Sequence, residues 1–315
     1  MKYTFLLPAY KTRFLEEALL GIKCQSFVDF LCIVSDDCSP EDVKGVFDKV
    51  CADDPRFTYR RTKKNFGADN LAVHWNSLVG LCDTEYFMVA SDDDIYHPDF
   101  LMEIDKLVAR YPDAGVVRAR SQYIDSKGEV LKKDGLYDEH QDTLSYLYTR
   151  YNCSYIGGIL NYAFRKEVFQ KEKLFFEYPL AWFADDVAII ACSRYGICVT
   201  KDILTSMRIS GSSISSSADR ASALKKIYAS VLFFNWSKIF LHQNCHPTNA
   251  LTAMMLRDVT INVRKHSLDQ VKLWTPALSF LQKTRILAML VGNGYSKGGS
   301  ECFFQTFFAA FAKSR

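Results

Sequence analysis

The chain has 315 residues, 49% of them apolar, and a net charge of +3. That length allows one large domain, or one domain with an appendage, around a sizeable core. No low-complexity tract and no repeat of 20–50 residues is present, which excludes solenoids, propellers and disordered tails as the main architecture.

The amino terminus MKYTFLLPAYKTRF has too short an apolar stretch for a signal peptide, with Pro8 and Lys11 following directly. No run of about 18 apolar residues suggests a membrane span. The best stretch, 273–291, is broken by Gln282, Lys283, Thr284 and Arg285. The 10 cysteines form no CxxC pair and no zinc-like spacing with histidine. They read as small buried hydrophobes of a reducing, cytoplasmic compartment. In that compartment the sequons at Asn152 and Asn235 go unused.

In chain order, 3–7 reads as a buried strand ended by Pro8, and 14–24 as a helix with Leu15, Ala18, Leu19 and Ile22 on one face. A strand at 30–34 runs into the turn Asp36-Asp37-Cys38-Ser39-Pro40. A helix at 43–50, a strand at 57–60, a helix at 70–81 and a strand at 86–90 follow. The last of these ends on Asp92-Asp93-Asp94. A helix at 100–110 and a strand starting at 115–117 continue the alternation. Alternating strands and helices imply βαβ units, an α/β fold with a mostly parallel sheet flanked by helices. In such sheets ligands sit beyond the carboxyl ends of the strands. Pro8-Ala9-Tyr10, Asp36-Asp37 and Asp92-Asp93-Asp94 each follow a strand and would line one crevice. Beyond the serine-rich stretch 211–217 the pattern becomes helical, at about 218–243, 248–266 and 268–290. A glycine-rich break at 292–299 and a last helix at 300–313 follow. The division expected is 1–215 as catalytic domain, with a nucleotide half to about 115 and an acceptor half at 116–215, and 216–315 as a basic helical region. Charge follows it: 1–215 carries 26 Lys and Arg against 32 Asp and Glu, and 216–315 carries 13 against 4.

Three consecutive aspartates at a strand end repel one another, and a hard divalent cation such as Mg²⁺ or Mn²⁺ removes that cost. Side chains alternate along an extended segment, so Asp93 can face a metal while Asp92 and Asp94 face other partners. The competing structural reading is a solvated acidic turn in which Asp94 or Asp99 caps the next helix.

Ser91-Asp92-Asp93-Asp94 resembles the DxD segment of the family 2 glycosyltransferases, which have the GT-A fold. Four further segments agree in order: Leu7-Pro8-Ala9-Tyr10 with the opening strand and turn, Val34 to Ser39 with the VDDGS turn (Cys38 replacing glycine), Asn65-Phe66-Gly67 with Asn70 with the N-x-G loop, and Trp182 to Asp186 with the ED motif (Asp185 replacing glutamate). The resemblance spans roughly 1–215. It implies a nucleotide-sugar donor, UDP-linked by preference, held by Pro8, Ala9, Tyr10, Asp37, Asn65, Gly67, Asn70, Ser91 and Asp92. It implies Asp93 as ligand of a Mn²⁺ or Mg²⁺ cofactor, with Asp94 as second candidate, and Asp186 as catalytic base beside Asp185. The histidine many members carry after the base motif is replaced here by Ser210, and Arg208 is the substitute for its diphosphate contact.

Such chemistry is coherent. A divalent cation stabilises the diphosphate leaving group as a Lewis acid. A carboxylate takes the proton of the attacking hydroxyl, and a single displacement inverts the anomeric centre. Alone, Asp185-Asp186 also reads as a charge pair in the first turn of a helix.

Weaker signals add acceptor candidates. Gly157-Gly158 would let backbone approach a sugar, or would simply form a tight turn. Trp182 would stack on an acceptor ring, or would be core. One of Arg60, Arg61, Lys63 and Lys64 would reach phosphate, the others being solvated. None of the six histidines has metal-ligand company. Gly292, Gly294 and Gly298 miss the dinucleotide spacing. Phe303, Phe304, Phe307, Phe308 and Phe311 form one stripe of the last helix, suited to packing, to a second subunit in a homodimer, or to peripheral contact with the inner membrane face. The expected activity is transfer of a hexosyl or N-acetylhexosaminyl group to a glycan or lipid-linked acceptor in surface polysaccharide synthesis. The alternatives are a non-catalytic nucleotide-sugar binder and a two-carboxylate glycoside hydrolase. Nucleic-acid binding by the basic tail lacks any motif.

Overall fold

The computed structural model describes residues 1–67, 70–172, 175–209 and 219–293. It divides into two compact units, Met1–Glu177 with Ala184–Ser210, and Tyr178–Phe183 with Gly211–Arg315.

The first unit is built on strands β1 (Tyr3–Ala9), β2 (Phe30–Asp36), β3 (Phe57–Arg61), β4 (Tyr86–Val89), β5 (Ile95–Tyr96), β6 (Val116–Ile124), β7 (Val130–Lys133), β8 (His140–Gln141), β9 (Tyr162–Arg165) and β10 (Ile197–Arg208). Its helices are α1 (Leu15–Lys23), α2 (Val43–Cys51), α3 (Leu71–Val79), α4 (Phe100–Arg110), α5 (Thr143–Asn152), α6 (Lys166–Lys171) and α7 (Ala184–Cys192). All ten strands form one sheet in the order β3-β2-β1-β4-β9-β6-β10-β5, with β7 beside β6 and β8 beside β10.

The first four strands are parallel neighbours. β9 then enters antiparallel between β4 and β6, and β10 runs parallel to β6. Six strands therefore run one way, and their carboxyl ends share one edge. The parallel run is legible because βαβ crossovers bury both faces, so β1 and β4 read as continuous apolar segments. The reversed strands are two to four residues long and carry no such pattern.

The core over the parallel half packs Phe5, Phe30, Tyr96 and Phe100 edge to face, with Phe5–Tyr96 centroids 5.0 Å apart. Each of these fully buried rings is worth about 1.5–3 kcal/mol. α1 and α4 present Leu15, Leu19 and Ile22, and Leu101, Ile104 and Leu107, to the same cluster.

In the second unit the described helices are α8 (Arg220–Asn244), α9 (Ala250–Trp274) and α10 (Phe280–Gly292). Each begins at a side-chain cap: Asp219, Asn249 with Thr252, and Ser279 with Gln282. The break expected near 267 is absent, and α9 continues to Trp274. Pro276, in the turn Thr275–Ala277, provides the stop instead. The expected helix at 300–313, with its phenylalanine stripe, and Gly294 and Gly298 lie outside the described residues. The segment Tyr178–Phe183 belongs to this unit. Phe183 stacks on Phe233 at 4.3 Å, and the Trp182 ring meets Trp274 edge to face. Lys226 lies over both indoles, 3.7 Å from the Trp274 centroid and 4.9 Å from that of Trp182. Burial lowers its pKa to about 8.

Among the described residues no helix is long and apolar enough to cross a membrane. Among them, too, no disulfide forms, and six cysteines, including Cys32 and Cys192, are buried.

Candidate active site

The carboxyl edge of the parallel strands carries three turns in register, because Ala9 pairs with Asp36 and Asp36 with Arg61. Asp92, just past β4, reaches across to the turn after β1. Its Oδ2 accepts the backbone N–H of both Tyr10 and Lys11 at 2.7 Å. Asp37 N–H in turn donates to Ala9 O at 2.8 Å. The crevice wall is thus stitched from three strand ends.

Asp36 and Asp37 divide the second turn between them. Asp36 is fully buried and holds the turn itself. Its oxygens accept from Ser39 N, from the Tyr59 hydroxyl and from Arg61, at 2.8, 2.7 and 2.5 Å. Asp37 orders the next loop by accepting Phe66 N at 2.9 Å and Gly67 N at 2.7 Å. A Cβ on Gly67 would lie 3.2 Å from that carboxylate, so the loop's close approach favours glycine. The Asn65 side-chain oxygen would lie 3.4 Å from the same added Cβ, and Asn70 donates to Glu177 at 3.2 Å. Cys38, between these groups and Ser39, has φ +54, the left-handed conformation that glycine adopts without a Cβ clash.

His74 lies beneath this loop, where no role was expected of a histidine. It is fully buried, shares a 2.9 Å hydrogen bond with the Ser35 hydroxyl, and has Nδ1 3.5 Å from Asp37. Burial lowers its pKa against the pull of Asp37. It supports the Asp37 loop. Of the four basic residues after β3, Arg61 is bound to Asp36 and Ser39, while Arg60, Lys63 and Lys64 are exposed.

The three aspartates after β4 have separate surroundings. Asp92 is committed to two backbone amides. Asp94 is buried, takes the Ser91 hydroxyl on Oδ2 and accepts Arg208 N on Oδ1 at 2.8 Å. Burial and then the Asp93 charge push Asp94 up to about 7. Asp93 is raised too, by burial and the Asp92 charge, with Lys11, Ser91 and Arg208 pulling the other way. No backbone amide is bonded to its carboxylate among the described residues. Asp99 stands at the start of α4 but makes no capping bond, which removes the capping explanation for this acidic run.

The donor set suits a divalent cation held through Asp93. Among the described residues no three His, Cys, Asp or Glu side chains form a cage. A hard cation that keeps its waters and takes diphosphate oxygens needs only one or two carboxylates.

Arg208, expected at a diphosphate, is instead enclosed. Its guanidinium donates to Glu17, to Asp93 O and to Asp125 O at 2.6, 3.0 and 3.2 Å, and lies 4.2 Å over the Phe14 ring. Its partners are protein groups, and it clamps β10 to the aspartate turn. Ser210 lies outside the described residues.

Farther along the chain, Asp185 and Asp186 occupy the first turn of α7, where the helix dipole favours negative charge. Burial, followed by the Asp186 charge, raises Asp185 to about 7. Asp186 Oδ1 receives Arg150 Nη2 from α5. Arg150 also donates to the Tyr155 hydroxyl at 3.0 Å and lies over that ring at 4.8 Å. The hydroxyls of Tyr146, Tyr155 and Tyr162 meet one another. Arg118 also lies over the Tyr155 ring, at 4.2 Å, and its Nη2 donates to Asp134 at 2.5 Å.

This buried arginine–tyrosine network escapes any single motif. Its one trace is density, since six of the 17 tyrosines fall within 137–162. Gly157 lies against it, 3.2 Å in Cβ terms from Tyr155 and 3.5 Å from Arg150. At Gly158 an added Cβ would meet the Met207 side chain at 2.5 Å. The close approach these glycines permit is to the protein's own side chains. Trp182 belongs to the helical unit and is packed there as described above.

Three solved structures share the architecture. TarS residues 1–349 from S. aureus in complex with UDP is 12% identical, with 100% of this chain and 92% of that chain covered at a TM-score of 0.57. The same protein with UDP-GlcNAc gives 14%, 94%, 90% and 0.57. The mannosyltransferase PcManGT from Pyrobaculum calidifontis, in complex with GDP-Man and Mn²⁺, is 16% identical, covers 99% and 86%, and has a TM-score of 0.56. At these identities the likeness concerns the fold, which is the GT-A fold. The model of glycosyl transferase family 2 matches residues 4–172, more than half of the sequence. The chain therefore belongs to glycosyl transferase family 2.

Proposed function

We propose that the protein is an inverting, metal-dependent transferase that moves a sugar from a UDP-sugar to a hydroxyl of a glycan or lipid-linked acceptor. The observation that carries this reading is the junction of three strand-end turns by Asp92 and Asp37, with the neighbouring Asp93 carboxylate bonded to no backbone amide among the described residues. UDP, UDP-GlcNAc and GDP-Man in the neighbouring structures support a nucleotide-sugar donor.

In this reading Pro8, Ala9, Tyr10 and the Asp37 loop, including Asn65 and Gly67, hold the nucleoside. Asp92, already fixed by two amides, faces the ribose or sugar. Asp93 holds the cation, which supplies charge stabilisation at the diphosphate when bound. Asp186 accepts the proton of the attacking hydroxyl as the new glycosidic bond forms. Arg208 serves as the clamp behind Asp93 and Asp94, replacing its expected role at the diphosphate. The division into a nucleotide half, an acceptor half and a helical region near 216 is retained as part of the proposal.

The test is release of nucleoside diphosphate from a panel of UDP- and GDP-sugars with Mn²⁺ or Mg²⁺. Chelator is expected to abolish turnover. Asp93→Ala is expected to lose metal-dependent nucleotide binding. Asp186→Asn is expected to keep donor binding while losing about 10²–10⁴ in kcat. Transfer by Asp186→Asn at the wild-type rate overturns the base assignment. A protein that binds donor but transfers to no acceptor supports the second reading, binding without turnover, which the Arg150–Asp186 pair would favour by occupying the base.

A further inference from the structure

Asp186 is held through one oxygen only. Oδ1 receives Arg150, and among the described residues no hydrogen bond reaches Oδ2. Arg150 is itself fixed: it is 11% exposed at the side chain, bound to the Tyr155 hydroxyl at 3.0 Å and to the Tyr146 hydroxyl at 3.4 Å, and covered by the rings of Tyr155 and Tyr151. The groups facing Asp186 are Asp185 on its own helix, Arg150 and Tyr151 on α5, and Tyr155 beyond it. Burial pushes the Tyr151 phenol up, so it stays neutral, and Arg150 provides the positive charge. That charge is bonded directly to Asp186, while Asp185 feels it only at longer range. Two adjacent carboxylates with unequal surroundings take unequal roles, and only Asp186 is bonded to the guanidinium.

We propose that Arg150 is a positioning residue for the transfer step: it pins Oδ1 of Asp186, places its positive charge beside that carboxylate, and leaves Oδ2 to receive the acceptor proton. The inference rests on Asp186 being the base. In the step, the acceptor O–H proton passes to Oδ2 and the acceptor oxygen bonds to the anomeric carbon. The bond from that carbon to the diphosphate oxygen breaks, and the electron pair leaves with the nucleoside diphosphate.

The experiment is the pH dependence of kcat/KM for Arg150→Met and Arg150→Lys, with donor binding measured by calorimetry. Arg150→Met is expected to move the acid limb upward by about one to three pH units. It should lower kcat at neutral pH while leaving donor affinity within about twofold. Arg150→Lys should return the limb toward wild type. A fall in kcat with an unmoved limb overturns the inference, because a merely structural arginine changes the amount of active enzyme and not its titration. Should Arg150→Met not fold, Tyr155→Phe removes one hydroxyl that holds Arg150 and keeps the ring. A smaller shift in the same direction is expected, and an unmoved limb overturns the proposal. Asp186→Asn separates the two readings. If it transfers normally the base assignment fails; if it is inactive while the Arg150 variants titrate like wild type, only the role of Arg150 fails.

Discussion

Asp92 and Asp37, at the strand-end turns, are held by backbone, whereas Asp186, at the start of α7, is held by a side chain. Asp92 and Asp37 each take two main-chain N–H groups, and Asp94 takes one. Asp186 depends on a guanidinium that depends in turn on tyrosine hydroxyls. A backbone donor is present whatever the residue, so the donor-side arrangement follows from strand ends and turns alone. Asp186 needs Arg150, 36 residues away, to arrive with a particular side chain. The first kind of site tolerates sequence change around it; the second ties several positions together.

The largest contrast is expected in stability. Asp134 accepts Arg118 and Ser121 N on one oxygen, and Tyr137 and Ile156 N on the other. In Asp134→Asn an amide NH₂ must face donors whichever way it turns, and the buried Arg118 loses its counter-charge. A loss of about 3–5 kcal/mol in urea unfolding is expected. In Asp92→Asn both amides can still bond to the single remaining oxygen, because both already share Oδ2. A loss of about 1 kcal/mol is expected there. Equal losses would erase the distinction between a carboxylate that balances a buried charge and one bonded to amides alone.

A second contrast is in pH dependence. Asp185 is raised from the ordinary 3.8 to about 7, so the folded chain keeps a proton that the unfolded chain has released. Its contribution to stability is full below about pH 4 and is lost as pH rises through about 7. Asp185→Asn removes the group, so its stability should fall less than that of wild type between pH 5 and 8 in chemical denaturation. Parallel curves would mean that Asp185 titrates normally and that the acceptor pair is more open to solvent than its packing implies.

The smallest effect belongs to the donor-side backbone. Cys38→Gly relieves the left-handed conformation but adds freedom to the unfolded chain, for a net gain of roughly 1 kcal/mol or less. A measured loss would show that the Cys38 side chain contributes packing that outweighs its backbone cost.

The same contrast explains what was legible in the sequence. β1 through α4 could be read nearly residue by residue, because buried parallel strands and amphipathic helices impose their periods on local sequence. The three strand-end turns followed from that alternation. β5, β7, β8 and β9 were not readable, since segments of two to four residues are too short to show a period. Arg150, His74 and the Arg118–Asp134 pair were missed because each matters through a neighbour distant in sequence. Arg208 was noticed for its charge, but its enclosure by Glu17 and Phe14 depends on α1 and the segment just before it, 191 residues away for Glu17. Pro276 was the available signal for the end of α9, and the helical period around it obscured that stop.

The bond from Arg208 N to Asp94 spans 114 positions, and the Arg208 side chain also reaches Asp93 O. The aspartate turn is therefore completed from the far end of the first unit. During synthesis the motif aspartates emerge long before the strand that closes their turn. A nascent chain, or a fragment ending near residue 172, contains every aspartate of that motif and lacks its closing clamp. The crevice at the strand ends is in this sense a late product of translation, kept unfinished until β10 is in place.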